Sequence, residues 1–226
     1  MGEAIEWRIP VGKWAAWGGA SEGASTSPDL GYIEPLLRRR LSPLARAALH
    51  VANQCCQGQE SVRFVYASRH GELNRTIELL HNLALGEPLS PTTFSLSVLN
   101  SAAGVFAIAR ADHAPATAVS AGAESFGFGL LEAYSQARAN PDATIVYVYA
   151  DGPPPSPIGS QAGDPPEIFA VGLLLAGTAN RFLAVGMGRD AGTPSAEPQS
   201  FACWRALNSS PTVWSSGNRR WHWAMA

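Results

Sequence analysis

Side chains able to do covalent or acid–base chemistry are few in this chain, and their spacing limits what they could perform. Cys55, Cys56 and Cys203 are the candidate nucleophiles, since a thiolate is intrinsically reactive. A catalytic thiolate needs a cationic neighbour or a helix amino terminus. Cys55 and Cys56 instead fall near the end of an amphipathic segment with no basic residue close in sequence, and read as buried thiols. Adjacent cysteines seldom bridge each other, and no metal spacing connects either to Cys203. The histidines are scattered: His50 and His81 lie in helical patterns, His70 follows a strand, His113 sits in a turn and His222 near the end. Each reads as a surface or capping residue. Ser120 and Ser125 lack the G-x-S-x-G elbow of a serine hydrolase. Gly18-Gly19-Ala20-Ser21-Glu22-Gly23 lacks the lysine of a phosphate loop. No metal site and no cofactor motif is visible.

The elements that must position these residues follow from periodicity. Glu6–Trp17 reads as a first strand and 18–28 as a loop. Ser42-Pro43, a cap residue followed by proline, starts a helix whose apolar face is Leu44, Ala47, Ala48, Val51 and Ala52. Ser61–Ser68 is strand-like, and Leu73–Leu85 is a helix stopped at Gly86. Ser90-Pro91 precedes Phe94–Ala111, apolar almost all round and so expected to be a buried helix. Strands are expected at Thr117–Ala121 and Thr144–Ala150, with a helix at Ser125–Ala139 between them. A Pro/Gly loop spans Asp151–Pro166, and Phe169–Leu175 with Arg181–Gly186 reads as a hairpin. This alternation predicts an α/β domain over 1–190 with a mainly parallel sheet. A tail at 191–226 carries Trp204, Trp214, Trp221 and Trp223 of the chain's 7 tryptophans.

Composition narrows the function classes. Of 226 residues, 46% are hydrophobic and 15% charged, against roughly 25% charged in ordinary soluble domains. So thin a charge suits a surface partly covered by another subunit. A net charge of −2 gives no reason to expect nucleic acid. The most apolar run, Ile168–Ala179, is too short to span a membrane, and no signal peptide is visible. The expected location is the cytoplasm.

Two passages resemble the β-ketoacyl synthases. Ser90-Pro91-Thr92-Thr93-Phe94-Ser95-Leu96-Ser97-Val98-Leu99-Asn100-Ser101-Ala102-Ala103-Gly104 is similar to the SP..F..S..N..AG stretch of that family. Ala118-Val119-Ser120-Ala121-Gly122-Ala123-Glu124-Ser125 lies where the family carries T-A-C-A-S-S, ahead of a helix matching Gly129-Leu130-Leu131-Glu132-Ala133. Over residues 1–188 the resemblance implies the amino-terminal half of a thiolase-like fold. It places Gly122 at the nucleophilic cysteine, and glycine has neither nucleophile nor proton donor. The family's histidine-bearing half has no counterpart in this sequence. By resemblance, then, the chain is a non-catalytic chain-length factor of a type II polyketide synthase, in the short form that accompanies aryl polyene pathways.

That resemblance implies a heterodimer with an active ketosynthase, paired through Thr117, Ala118, Val119, Ser120 and Ala121. It also implies a transient acyl carrier protein partner, for which Arg38-Arg39-Arg40 is a candidate contact or simply a solvated run. Phe94, Leu99, Asn100 and Phe106 would line the partner's acyl tunnel. A homodimeric scaffold built on the same strand is the rival reading. The tail from Phe201 to Trp223 is expected to fold back over a sheet face that the absent half leaves open.

Overall fold

A proline-marked start and a glycine stop set two of the helices where the sequence puts them. In a computed structural model, which describes residues 5–18, 27–156, 158–190 and 192–226, Ser42 Oγ accepts the Ala45 amide at 2.9 Å and opens α2 (Pro43–Cys56). The short α1 (Pro35–Arg39) precedes it, and α3 spans Leu73–Ala84. β1 (Ile5–Gly18), β2 (Arg63–Ala67), β3 (Ala116–Val119), β4 (Ile145–Asp151), β5 (Phe169–Leu175) and β6 (Phe182–Arg189) supply most of the sheet. Most of the Gly18–Gly23 phrase lies outside the described residues.

Two helix layers sandwich that sheet. On β4, Val146, Val148 and Ala150 face a core built on α2 and α5 (Ser101–Arg110), whereas Ile145, Tyr147 and Tyr149 face α6 (Ser125–Ala139) and α7 (Gln199–Asn208). Every residue of β4 and β5 is buried, as strands covered on both faces require.

The sheet corrects two expectations. Its order is β3-β2-β4-β5-β1-β6-β8-β7, and only the β3-β2-β4 portion is parallel. All other pairs are antiparallel, because the strand–helix alternation stops after β4. β5 and β6 do not form a hairpin. The long β1 lies between them, its Ile5–Pro10 stretch pairing β6 and Val11–Gly18 pairing β5, so the chain changes sides of β1 between Leu175 and Phe182.

The expected buried helix over Phe94–Ala111 is broken into α4 (Pro91–Ser95) and α5, with 96–100 between them. The hydroxyls of Ser95 and Ser97 donate to the Thr92 and Phe94 carbonyls, local bonds that compete with helix continuation. Only Ala102, Ala103, Val105 and Phe106 of α5 are buried. Phe94 is 63% and Ile108 72% exposed, so apolarity here does not mean core.

The tail builds sheet as well as cover. α7 packs on the α6 side, with Phe201 edge-on to Phe169 at 4.7 Å, while β7 (Thr212–Ser215) and β8 (Arg219–Met225) extend the sheet beyond β6. Trp214, Trp221 and Trp223 are fully buried, and Trp221 stacks on Trp223 at 6.0 Å.

Candidate functional site: an open sheet edge and the turn behind it

Among the described residues β3 is an end strand of the sheet, its one strand partner being β2. Phe64 and Ser68 donate their amides to the carbonyls of Pro115 and Val119, so residues 115, 117 and 119 spend their backbone groups on β2. By the alternation of a parallel ladder, Ala116 and Ala118 direct theirs to the open side. Side chains of β3 are anchored toward α6: Gln136 Nε2 donates to Thr117 Oγ1 at 3.0 Å, and Val119 packs against that core.

Behind the edge the chain turns into α6. Ser125 Oγ accepts the Ala121 amide at 2.9 Å and donates to the Gly122 carbonyl at 2.7 Å. Gly122 has φ +59, and a Cβ placed there would meet no atom within 4 Å. The turn is therefore a left-handed one that glycine adopts without strain, and it opens on solvent. α6 then lies so close to the sheet that a Cβ on Gly129 would come within 2.5 Å of Ala67 Cβ.

The turn is braced by two polar clusters that the sequence does not announce. Glu124, buried, accepts from Trp221 Nε1 at 2.8 Å and pairs with Arg219 Nη1 at 3.0 Å. On the other side, Ser120 Oγ donates to the Arg69 carbonyl at 3.2 Å. Arg69 Nη1 and His70 Nε2 meet the fully buried Asp164 carboxylate at 2.8 and 2.7 Å, which fastens the proline-rich loop. Asp151 accepts the Arg69 amide at 2.7 Å, and burial raises its carboxyl above the usual carboxylate range. Only a pairing of distant positions could have revealed these contacts.

Other candidates separate clearly. His50 is buried, its Nδ1 accepting the Asp29 amide at 2.9 Å, which corrects its reading as a surface residue. His81 and His113 are exposed, and His222 sits 3.8 Å from Glu6. Cys55 and Cys56 are free and buried, and burial pushes both thiols up to about 12. They are expected to resist alkylation at pH 8 until the protein is unfolded; modification of the native chain within minutes would contradict that burial. Among the described residues no group of three or more metal-binding side chains gathers, and no helix is long and apolar enough to cross a membrane.

An arm of exposed apolar residues precedes α5, the helix that packs against β3. The second half of α3, the link after it, α4 and the stretch beyond α4 show Leu80, Leu83, Leu85, Leu89, Phe94 and Val98 to solvent. Of the residues assigned to the tunnel, Phe94 and Asn100 point outward. Leu99 is half-buried beside Gly71, and Phe106 packs in the core at 4.7 Å from Phe64. In the Arg38–Arg40 run, Arg39 and Arg40 are exposed, whereas Arg38 donates to the Leu30 carbonyl.

The sequence profile of the β-ketoacyl synthase N-terminal domain matches residues 14–224, and so takes in α7, β7 and most of β8. Among solved structures, the chain is similar to one in the complex of the ketosynthase ApeO with its chain length factor ApeC from Xenorhabdus doucetiae. That match has a TM-score of 0.81 and 28% identity, and covers 96% of this chain and 99% of that one. The ishigamide ketosynthase/chain length factor matches with a TM-score of 0.60 at 17% identity, over 88% of this chain and 72% of that one. The type II polyketide synthase complex AntDE:AntF, an acyl-carrier protein with its ketosynthase, matches with a TM-score of 0.56 at 14% identity, over 85% and 71%. Comparison with curated proteins gives no significant match.

Proposed function

The chain belongs to the β-ketoacyl synthase N-terminal-domain family, and from that membership we propose that it is a catalytically inactive chain-length factor that pairs with an active ketosynthase. The observation that carries this reading is the open β3 edge, followed by a solvent-facing turn at Gly122, where the resemblance puts the family's nucleophile; an exposed apolar arm ahead of α5 adds to it. An edge with unpaired amides invites strand addition, and a contiguous apolar surface marks a protein contact. Thr117–Ala121 would then run against the matching strand of the ketosynthase. Phe94, Leu99 and Asn100 would face its acyl tunnel, with Phe106 supporting them from the core. Arg39 and Arg40 would offer charge to an acidic acyl carrier protein. Likeness along nearly the whole length of a chain in the ApeO–ApeC complex supports the chain-length-factor role; an aryl polyene pathway in the cytoplasm is the setting proposed for it.

Co-expression with candidate ketosynthases, followed by size-exclusion chromatography, tests the pairing: a one-to-one complex is expected. A stable homodimer that ignores every ketosynthase would establish the scaffold reading instead. The purified chain alone should release no carbon dioxide from a malonyl carrier protein, because a glycine at position 122 can form no acyl intermediate. Release above the no-protein control would overturn the claim of inactivity.

A further inference from the structure

Three cavities on the α2 side of the sheet follow one another through shared walls. The outermost is an open groove of ≈ 440 Å³, with Val98, Asn100 and Ile108 on its lining. One of its walls is α5, which also packs against β2 and β3. Leu96, Ser101 and Val105 of this groove also line a gap beneath it that is too narrow for a water molecule. The far wall of the gap is Ser42, Glu72 and Arg75, and those residues are also a wall of an inner cavity of ≈ 490 Å³. Leu44, Leu73, Ile168 and Pro153 make much of that inner cavity apolar.

The neck between groove and cavity is polar, while the spaces on either side are largely apolar. Glu72, 8% exposed, accepts from Ser42 Oγ at 2.6 Å and pairs with Arg75 Nε at 3.2 Å. Arg75 Nη2 in turn donates to the Arg40 carbonyl at 2.5 Å, which ties α3 to the end of α1. A hydrocarbon chain could occupy the groove by displacing water from apolar walls. To go further it would have to part a half-buried ion pair and press apolar chain against both charges, which is unfavourable.

We propose that the Ser42–Glu72–Arg75 cluster is the stop that ends the growing acyl chain of the partner ketosynthase, and that the groove beside α5 is this chain's share of the tunnel. The inference rests on the chain-length-factor reading above. It assigns the length limit to a charged neck, with an apolar cavity held in reserve behind it.

The test uses the assembled pair and its products, resolved by mass spectrometry. Glu72→Ala with Arg75→Ala removes both charges together, so neither is left unpaired. Products at least one extension unit longer than the parent's are expected from a variant that still co-elutes with the ketosynthase. Adding Leu73→Trp refills the inner cavity and should return the distribution toward the parent. Leu96→Ala widens the neck but keeps its charges, and should leave product length unchanged. Glu72→Gln with Arg75→Leu keeps the side-chain bulk and replaces the alanine pair should that pair fail to fold. Unchanged lengths from a paired, folded double variant, or longer products from Leu96→Ala alone, would overturn the charged stop. Phe94→Ala separates the two levels: if it changes product length while the neck variants do not, the stop falls and the chain-length reading stands. If no variant changes the products, that reading falls with it.

Discussion

Ala118→Pro is expected to leave this chain folded and to abolish its co-elution with the ketosynthase. The Pro115 and Val119 carbonyls accept from β2, so by the alternation of a parallel ladder the Ala118 amide is not needed by the chain's own sheet. Proline is tolerated on an edge strand when its missing N–H faces outward. In a paired strand the same change removes a ladder bond, presses a ring against the incoming backbone and strands a buried carbonyl, at about 1–3 kcal/mol for the carbonyl alone. Weakening of at least 100-fold, about 2.7 kcal/mol, follows once the clash is added. Val119→Asp is the less clean probe, because Val119 packs against the α6 core and a charge there would also loosen the subunit. Normal pairing of a folded Ala118→Pro variant would place the interface away from β3.

How much of this could be read beforehand depends on whether the signal was local. Ser42-Pro43 and Ser90-Pro91 start helices through their own hydroxyls, and α6 begins and ends where its sequence does. Strand order is not local. Nothing in the alternation of β1 tells that its two halves will pair different strands. Apolarity also proved ambiguous in kind: Phe94 and Phe106 are equally hydrophobic, yet one is 63% exposed and the other lies in the core. A chain whose surface is completed by another subunit carries apolar residues for that subunit as well as for itself, and a single sequence does not distinguish them. The tight turn at Gly122 was legible from its glycine, whereas its braces were not. Glu124 and Asp164 find partners from distant segments, and the Asp151–Pro166 loop gave no sign that one of its aspartates would be fully buried.

Trp221→Ala should produce the largest loss of stability in the chain. Its ring is fully buried, stacked on Trp223 at 6.0 Å and edge-on to Trp7 and Phe128 at 6.2 and 5.4 Å. It also fills the notch left by Gly127, where a Cβ would come within 2.8 Å of the indole. Truncation leaves a cavity that neighbours on β1, β8 and α6 cannot all close, at about 3–5 kcal/mol. It also strips a donor from the buried Glu124 carboxylate, which adds about 1–3 kcal/mol. Their sum rivals the 5–15 kcal/mol by which a domain is usually stable, so a melting temperature lower by at least about 10 °C, or insoluble protein, is expected. Trp221→Phe keeps most of the ring and isolates the hydrogen bond. Combined with Glu124→Gln in a double-mutant cycle, it measures the coupling between the tail and the turn after β3. Coupling of about 1 kcal/mol or more, together with weaker ketosynthase pairing in the singly substituted but folded variants, would show that the tail sets the geometry of the pairing turn as well as filling the core. Additive effects with unchanged pairing would reduce Trp221 to packing alone, and a Trp221→Ala protein that melts like the parent would remove even that role.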